Sequence, residues 1–307
     1  MGIGWFLIAL ASPFLSAVTN LIDKYLTGHM KKKEAPIGVL LLYSTLFSAL
    51  VLPAVVVWNG GLDVMNLWSV LILITAGGIE VCAIALYLFA LSKEEASIVV
   101  PLFQFTPIFG YVFGLLLLGE ALTGMQILSG CLVIAGGVVL SLEFSEESRL
   151  RLKKAVLILM LGSSAAYALF DVLFKYAGSS DTFWTVVFWH HVGILCSGLL
   201  LALFVPAYRK GFIANVTGNG GRVLGLNILN ESLYAIGIFC FNFALFFAPV
   251  AMVMMVSVYQ PVFVFVLGIM ATLLFPAFLS EKISARHLLH KLIGIGIIVT
   301  GSVLLLL

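Results

Sequence analysis

From Ser232 to Ser280 the chain runs for 49 residues without a charged side chain. As a single helix that run would reach ~73 Å, at ~1.5 Å per residue, more than twice the ~30 Å hydrocarbon core of a bilayer. It must therefore cross, turn and cross again. The turn belongs at Ala248-Pro249, because proline removes a backbone donor and disfavours helix in the residue before it. Two further uncharged stretches, Ala35 to Leu62 (28 residues) and Ala96 to Gly119 (24 residues), also exceed the ~18 to 20 residues that span a bilayer. With 10% charged residues against 62% hydrophobic, where a soluble domain carries about 25% charged, a soluble globule is excluded. The runs are continuously apolar rather than alternating with period two, which argues for helices and against a transmembrane barrel.

Charge, Gly, Pro and Asn cut the 307 residues into ten apolar segments, 4–28, 37–58, 67–91, 96–118, 124–142, 155–177, 183–206, 223–247, 249–275 and 288–307. The longest polar stretch, Glu143 to Lys154, divides them five and five. The two halves echo one another. Ser12, Asn20, Lys24, Tyr25 and Glu80 fall on Ser163, Asp171, Lys175, Tyr176 and Glu231 at an offset of 151, and Pro107 falls on Pro261 at an offset of 154. Late in each half Gly130 and Gly137 fall on Gly294 and Gly301. An odd number of helices per repeat turns the second upside down, the plan of many secondary carriers. The expected architecture is thus an all-α integral membrane protein of ten transmembrane helices in two inverted five-helix repeats, 1–143 and 155–307, joined by 144–154.

Several classes drop out on composition. The net charge is only +2 and no basic block is interleaved with aromatics, so nucleic-acid binding has no electrostatic footprint. Cys82, Cys131, Cys196 and Cys240 lie singly in apolar runs and read as small core hydrophobes rather than disulfide or zinc partners. The N-terminus lacks a basic n-region and reads as a retained first helix. No Walker-type phosphate loop occurs, and no cofactor or metal is expected. His190 and His191 are adjacent and point about 100° apart on a helix, ill-placed to share one ion.

Polar groups inside membrane helices are the functional candidates, because a charge at mid-bilayer costs at least ~2.5 to 3.5 kcal/mol. Glu80 and Glu231 lie well inside the third and eighth segments at equivalent positions, and a desolvated carboxyl can alternate between charged and neutral forms. Both, with Asp171, are candidate coupling or proton-binding groups. Asp171 and Lys175 stand at i,i+4 in the order that favours an ion pair, and Asn20 and Lys24 repeat the spacing in the first segment, so Asn20, Lys24 and Lys175 are expected to flank a polar pocket. Snorkelling would equally explain the two lysines. Asn227, Asn230 and Asn242 add hydrogen-bonding capacity beside Glu231, to read a solute or to bridge helices.

Interrupted helices in corresponding positions of two halves mark a carrier's binding site. The fourth segment holds Pro101, Gln104 and Pro107, and the ninth holds Pro249, Tyr259, Gln260 and Pro261. Gln104, Pro107, Asn227, Asn230, Tyr259, Gln260 and Pro261 are accordingly expected to line a substrate site, with Phe103, Phe105 and Phe263 as stacking surface. Glycines of the fifth and tenth segments suggest close packing or a homodimer surface, and Glu120 and Glu281 before them suit the positive ends of helices.

The first half ends on Pro107, Gly119-Glu120-Ala121-Leu122-Thr123, Gln126, Gly130 and Gly137, and the second on a degraded copy, Pro261, Glu281, Gly294 and Gly301. With the ten-segment plan, this resembles the EamA family of the drug/metabolite transporter superfamily. The resemblance implies a carrier exporting or exchanging small metabolites through a cavity between the halves. The function expected is therefore secondary active transport of an amino acid or similar polar or aromatic solute, with proton coupling through the carboxylates. The alternative is an intramembrane enzyme acting on lipid or peptide through Asp171, Glu80 or Glu231, which lacks a recognisable nucleophile or metal cluster. Fourteen of the sixteen Lys and Arg residues fall in odd-numbered loops, so the positive-inside rule puts those loops in the cytoplasm and both termini outside, in the plasma or inner membrane. Family members usually have cytoplasmic termini, so here charge and resemblance disagree.

Overall fold

The computed structural model describes residues 3–29, 37–93, 99–141, 154–179, 181–218, 221–274 and 285–306. Every regular element among them is helical. In chain order these are α1 (Gly4–His29), α2 (Ile37–Asn59), α3 (Leu67–Leu91), α4 (Thr106–Phe113), α5 (Gly124–Ser141), α6 (Lys154–Gly178), α7 (Phe183–Phe204), α8 (Pro206–Gly218), α9 (Gly221–Leu245), α10 (Val250–Val256), α11 (Gln260–Leu274) and α12 (Ala285–Leu306). Six helical stretches are long and apolar enough to cross a membrane: Ile37–Asn59, Leu67–Leu91, Lys154–Gly178, Phe183–Phe204, Ile228–Leu245 and Val250–Met270. Four shorter apolar stretches accompany them, Gly4–Asn20, Leu102–Leu118, Gly124–Leu140 and Leu289–Leu305. This is an integral, multi-pass helical protein.

The long uncharged run turns where proline demands it. Helix α9 ends at Leu245, Pro249 takes the N-cap position with an extended ψ of 139°, and α10 starts at Val250. Beyond it the helix tightens into a 3-10 turn at Ser257–Tyr259 before Pro261 enters the first turn of α11, where a missing N–H costs nothing. The fourth segment is broken in the same manner. A 3-10 stretch Val100–Phe105 leads into α4, which widens into a π-type stretch Gly114–Leu118. It stops at Gly119, whose φ of 68° suits a residue without Cβ.

Helix pairs meet where glycine admits backbone. Gly77 of α3 lies against the backbone of His190 and Ile194 in α7, and Gly193 of α7 lies against Ile74, so a side chain at either would strike the other helix. Helices α5 and α12 pack along each other in the same way, with a Cβ at Gly294 meeting Leu140 N at 3.0 Å and one at Gly301 meeting Val133 N at 2.9 Å. Those glycines of the fifth and tenth segments thus serve contact within the chain.

Two features depart from the sequence reading. Helix α8 occupies a stretch expected to be loop. It lies across the start of α2, with the Tyr208 ring over Gly38 and the Tyr43 hydroxyl donating to Asn215 Oδ1 at 3.0 Å. Cys82, Cys131 and Cys196 are exposed rather than in the core, and Cys240 is partly buried.

Candidate functional site

Glu80 sits near the middle of α3, which packs along both α6 and α7, and only 6% of it is exposed. Facing it from α6 is Asp171, 5% exposed and close enough for the two carboxyls to sense each other's charge. The two helices are held in register by the Ser163 hydroxyl, which donates to Ala83 O at 2.8 Å, while its neighbour Ser164 donates to Leu102 O at 3.3 Å and ties α6 to the broken fourth segment. Two acids have been brought to one buried point by helices that could have turned them outward.

The third wall is α7. His190 is fully buried, stacked on Phe170 at 5.6 Å and edge-on to Phe174 at 5.3 Å, and its Nε2 lies 3.3 Å from Glu80 Oε2. The approach is poorly aligned. Among the described residues, neither ring nitrogen of His190 nor Glu80 Oε2 has a hydrogen-bond partner of good geometry, although a buried polar group without one costs about 1–3 kcal/mol. His191 turns away and contacts Val187 O at 3.0 Å through Nδ1.

Aromatic rings close the cluster. Tyr87, Phe103 and Tyr167 are linked in a chain, with centroids 5.0 Å and 5.7 Å apart, and Tyr167 continues to Phe170 at 5.8 Å. Tyr234 of α9 lies within electrostatic reach of Glu80, Asp171, Glu231 and Tyr87. Glu231 itself is partly buried and accepts a long 3.4 Å hydrogen bond from Ser44 Oγ of α2. Glu80, Asp171 and Glu231 therefore share one neighbourhood, with Phe103 at its edge.

The other expected site residues lie elsewhere or outside the described side chains. Gln104 is buried against Gly137 of α5, its Nε2 3.1 Å from a Cβ built there, and its Oε1 has no hydrogen-bond partner among the described residues. Pro107 is buried in the first turn of α4. Tyr259 faces α1 and α12, 5.9 Å from the ring of Phe6 and hydrogen-bonded with Ser302. Gln260 and Pro261 begin α11, both half-buried, and Asn230 is buried in α9. Asn20 is exposed on α1. The side chains of Lys24 and Asn227 lie outside the described set, as does Glu281.

The ion pair expected between Asp171 and Lys175 does not form. Lys175 joins Glu120 instead, donates also to Ala248 O at 2.6 Å, and does not snorkel outward. Glu120 Oε2 accepts from Val250 N at 2.8 Å. It thus caps the positive end of α10 rather than of the helix that follows it in sequence, and Lys175 neutralises it there. At the same end of the bundle, Thr182 Oγ1 donates to Asp63 Oδ2 at 2.6 Å.

Spacing held a signal for the residues that sequence reasoning missed. Tyr87 is seven residues after Glu80, Tyr167 four before Asp171 and Tyr234 three after Glu231, so each tyrosine shares a helix face with its acid. His190 carried no such mark, since its partner lies on another helix.

A bundle of long apolar helices around buried Glu80 and Asp171 defines a multi-pass membrane protein with a polar interior. Residues 3–142 match the EamA-like transporter family, of the drug/metabolite transporter superfamily, as the motifs of the first half had indicated. No curated protein matches the chain. Among solved structures, one described simply as the crystal structure of a protein superposes with a TM-score of 0.71 over 99% of this chain and 96% of its own, at 16% identity. At that identity the likeness concerns the fold alone.

Proposed function

We propose that the chain is a secondary carrier, moving a small metabolite such as an amino acid or a similar polar or aromatic solute by alternating access, in export or exchange and coupled to protons. In this reading its ten membrane helices form two inverted units, 1–143 and 155–307, and the basic odd-numbered loops face the cytoplasm of a plasma or inner membrane. The observation that carries it is the pair Glu80 and Asp171, both buried within membrane helices that pack along each other. Burying one carboxyl at that depth is costly, and a second beside it adds repulsion that a purely structural core would avoid.

Packing lends support. Helix α1 runs along α9 much as α6 runs along α3, and α5 along α12. One equivalence is broken, since α3 packs closely on α7 whereas α2 and α9 barely meet. An open cleft of about 380 Å³ lies between them, lined by Phe47, Val51, Trp58, Trp184 and Phe239 among others. Unequal seams at equivalent places are what any single state of an alternating-access carrier requires.

The test is flux of a mixed pool of amino acids, sugars, amines and nucleotides in proteoliposomes, with and without a pH gradient, for wild type, Glu80→Gln and Glu231→Gln. The carrier reading expects saturable, gradient-driven flux that Glu80→Gln abolishes. Flux indifferent to the gradient and to both substitutions would refute the carboxylate mechanism, and absence of any flux beyond empty liposomes would refute the carrier.

A further inference from the structure

Helix α7 is 22 residues long, Phe183–Phe204, about 33 Å at ~1.5 Å per residue, so it crosses the ~30 Å hydrocarbon core and has little length to spare. It stays apolar to its last turn, where Leu203 and Phe204 are 63% and 74% exposed. The helix stops at Val205 and Pro206 opens α8 at once. Helix α8 therefore begins where acyl chains give way to headgroups.

Its 13 residues have two distinct sides. At ~100° per residue, Tyr208, Phe212 and Asn215 share one of them, and this side rests on α2: the Tyr208 ring covers Gly38, the Phe212 ring lies 4.8 Å from that of Tyr43, and Asn215 Oδ1 accepts from the Tyr43 hydroxyl. Arg209, Lys210, Ile213, Ala214 and Thr217 fall within about 140° of one another on the other side, and all five are exposed. Ile213, 54% exposed, projects between the directions of the two cations. No acid balances them in the chain nearby, since the only charged residues from 182 to 230 are Arg209, Lys210 and Arg222.

We infer that the outer side of α8 docks on the leaflet beside it, Arg209 and Lys210 binding the phosphates of anionic phospholipids while Ile213 enters the acyl layer. Basic residues interleaved with an apolar one at headgroup depth are the pattern of a helix lying in a membrane interface, and an anionic surface attracts each cation placed near it. The exposed apolar residues Phe204 and Ile213 favour a lipid over a free phosphate or an acidic protein, because only the lipid brings acyl chains with its charge. Through Tyr208, Phe212 and Asn215, the same contact braces the start of α2, whatever solute the chain moves.

A bimane label at Ala214→Cys tests this in the full chain, with Cys82, Cys131, Cys196 and Cys240 replaced and the protein reconstituted in phosphatidylcholine bilayers. Quenching is compared for phosphatidylglycerol and phosphatidylcholine that each carry a nitroxide high on one acyl chain. The glycerol lipid is expected to be preferred by about 5-fold for each cation. Arg209→Gln and Lys210→Gln should each lower the preference by about that factor and together abolish it, while the exchanged pair Arg209→Lys with Lys210→Arg keeps it. A label at Leu71→Cys, exposed near the other end of the bundle on α3, should show no preference. Equal quenching by the two lipids at Ala214→Cys, or the same preference at Leu71→Cys, would overturn the assignment. So would a preference that survives the double substitution in protein with an unchanged thermal melt. Quenching by neither lipid would place α8 away from the leaflet and turn the surface toward a protein partner, and loss of the preference in excess inorganic phosphate at constant ionic strength would give the cations to free phosphate. All of these but the double substitution need no change to α8 beyond the label.

Discussion

Lys175 and Glu120 illustrate how a residue's role depends on what the fold brings to it. Sequence spacing offers Lys175 an acid one turn away, yet Asp171 points to α3 and the lysine reaches a carboxylate 55 positions earlier in the chain. Their side chains are 16% exposed, and leaving one of two such charges alone costs somewhat less than the ~3–5 kcal/mol of a fully buried pair. Lys175→Met is expected to destabilise the protein by about 2–3 kcal/mol, read as a lowered thermal transition in detergent. Adding Glu120→Gln should recover much of that loss, since the amide oxygen still serves Val250 N. A double variant no better than the single one would show that the pair is not coupled. His190 makes the opposite case. Its nitrogens gain no hydrogen bond among the described residues, so His190→Leu, close in volume, should change stability by less than about 1.5 kcal/mol while reducing transport. A large loss of stability with normal flux would assign His190 to structure alone.

At the scale of elements, legibility follows the strength of the local signal. Long uncharged runs punctuated by Pro and Gly carry their own boundaries, and α3 occupies 67–91 as its apolar run predicts. Helix α8 was hidden because PAYRKGFIANVTG mixes charge, glycine and apolar residues without a clear period, and it is held by packing on α2. The acids were legible because charge is conspicuous in an apolar run. Their meeting was not, since it depends on which faces α3, α6, α7 and α9 turn inward. Glycine spacing carried a like ambiguity, open to contact within the chain or between copies. Close approach at Gly77 and Gly193 makes a sharp expectation: Gly193→Ala should cost about 1–3 kcal/mol, as overpacking against backbone does. Gly296 of α12, with nothing within 4 Å of a built Cβ, should accept Ala without loss and gain up to ~1 kcal/mol of helix propensity. Equal melting shifts for the two would contradict the described α3–α7 crossing.

Over the whole molecule the unequal seams become a statement about motion. If equivalent interfaces exchange roles, α2 and α9 close when α3 and α7 part. Spin labels at Leu50→Cys and Ile236→Cys, in a background with Cys82, Cys131, Cys196 and Cys240 replaced, report the α2–α9 gap by pulsed resonance. The expected record holds two distances whose populations shift when a transported solute is added. One distance unmoved by any transported solute would leave the cleft a fixed surface feature.

The central claim is that the acids between α3 and α6 are where the carrier holds its solute. Dicyclohexylcarbodiimide reacts with protonated carboxyls in apolar surroundings, and peptide mass spectrometry locates the adduct. The account predicts modification at Glu80 or Asp171, slowed by the solute that proteoliposome flux identifies and not by solutes that do not move. Modification of these residues at a rate indifferent to the transported solute would contradict it.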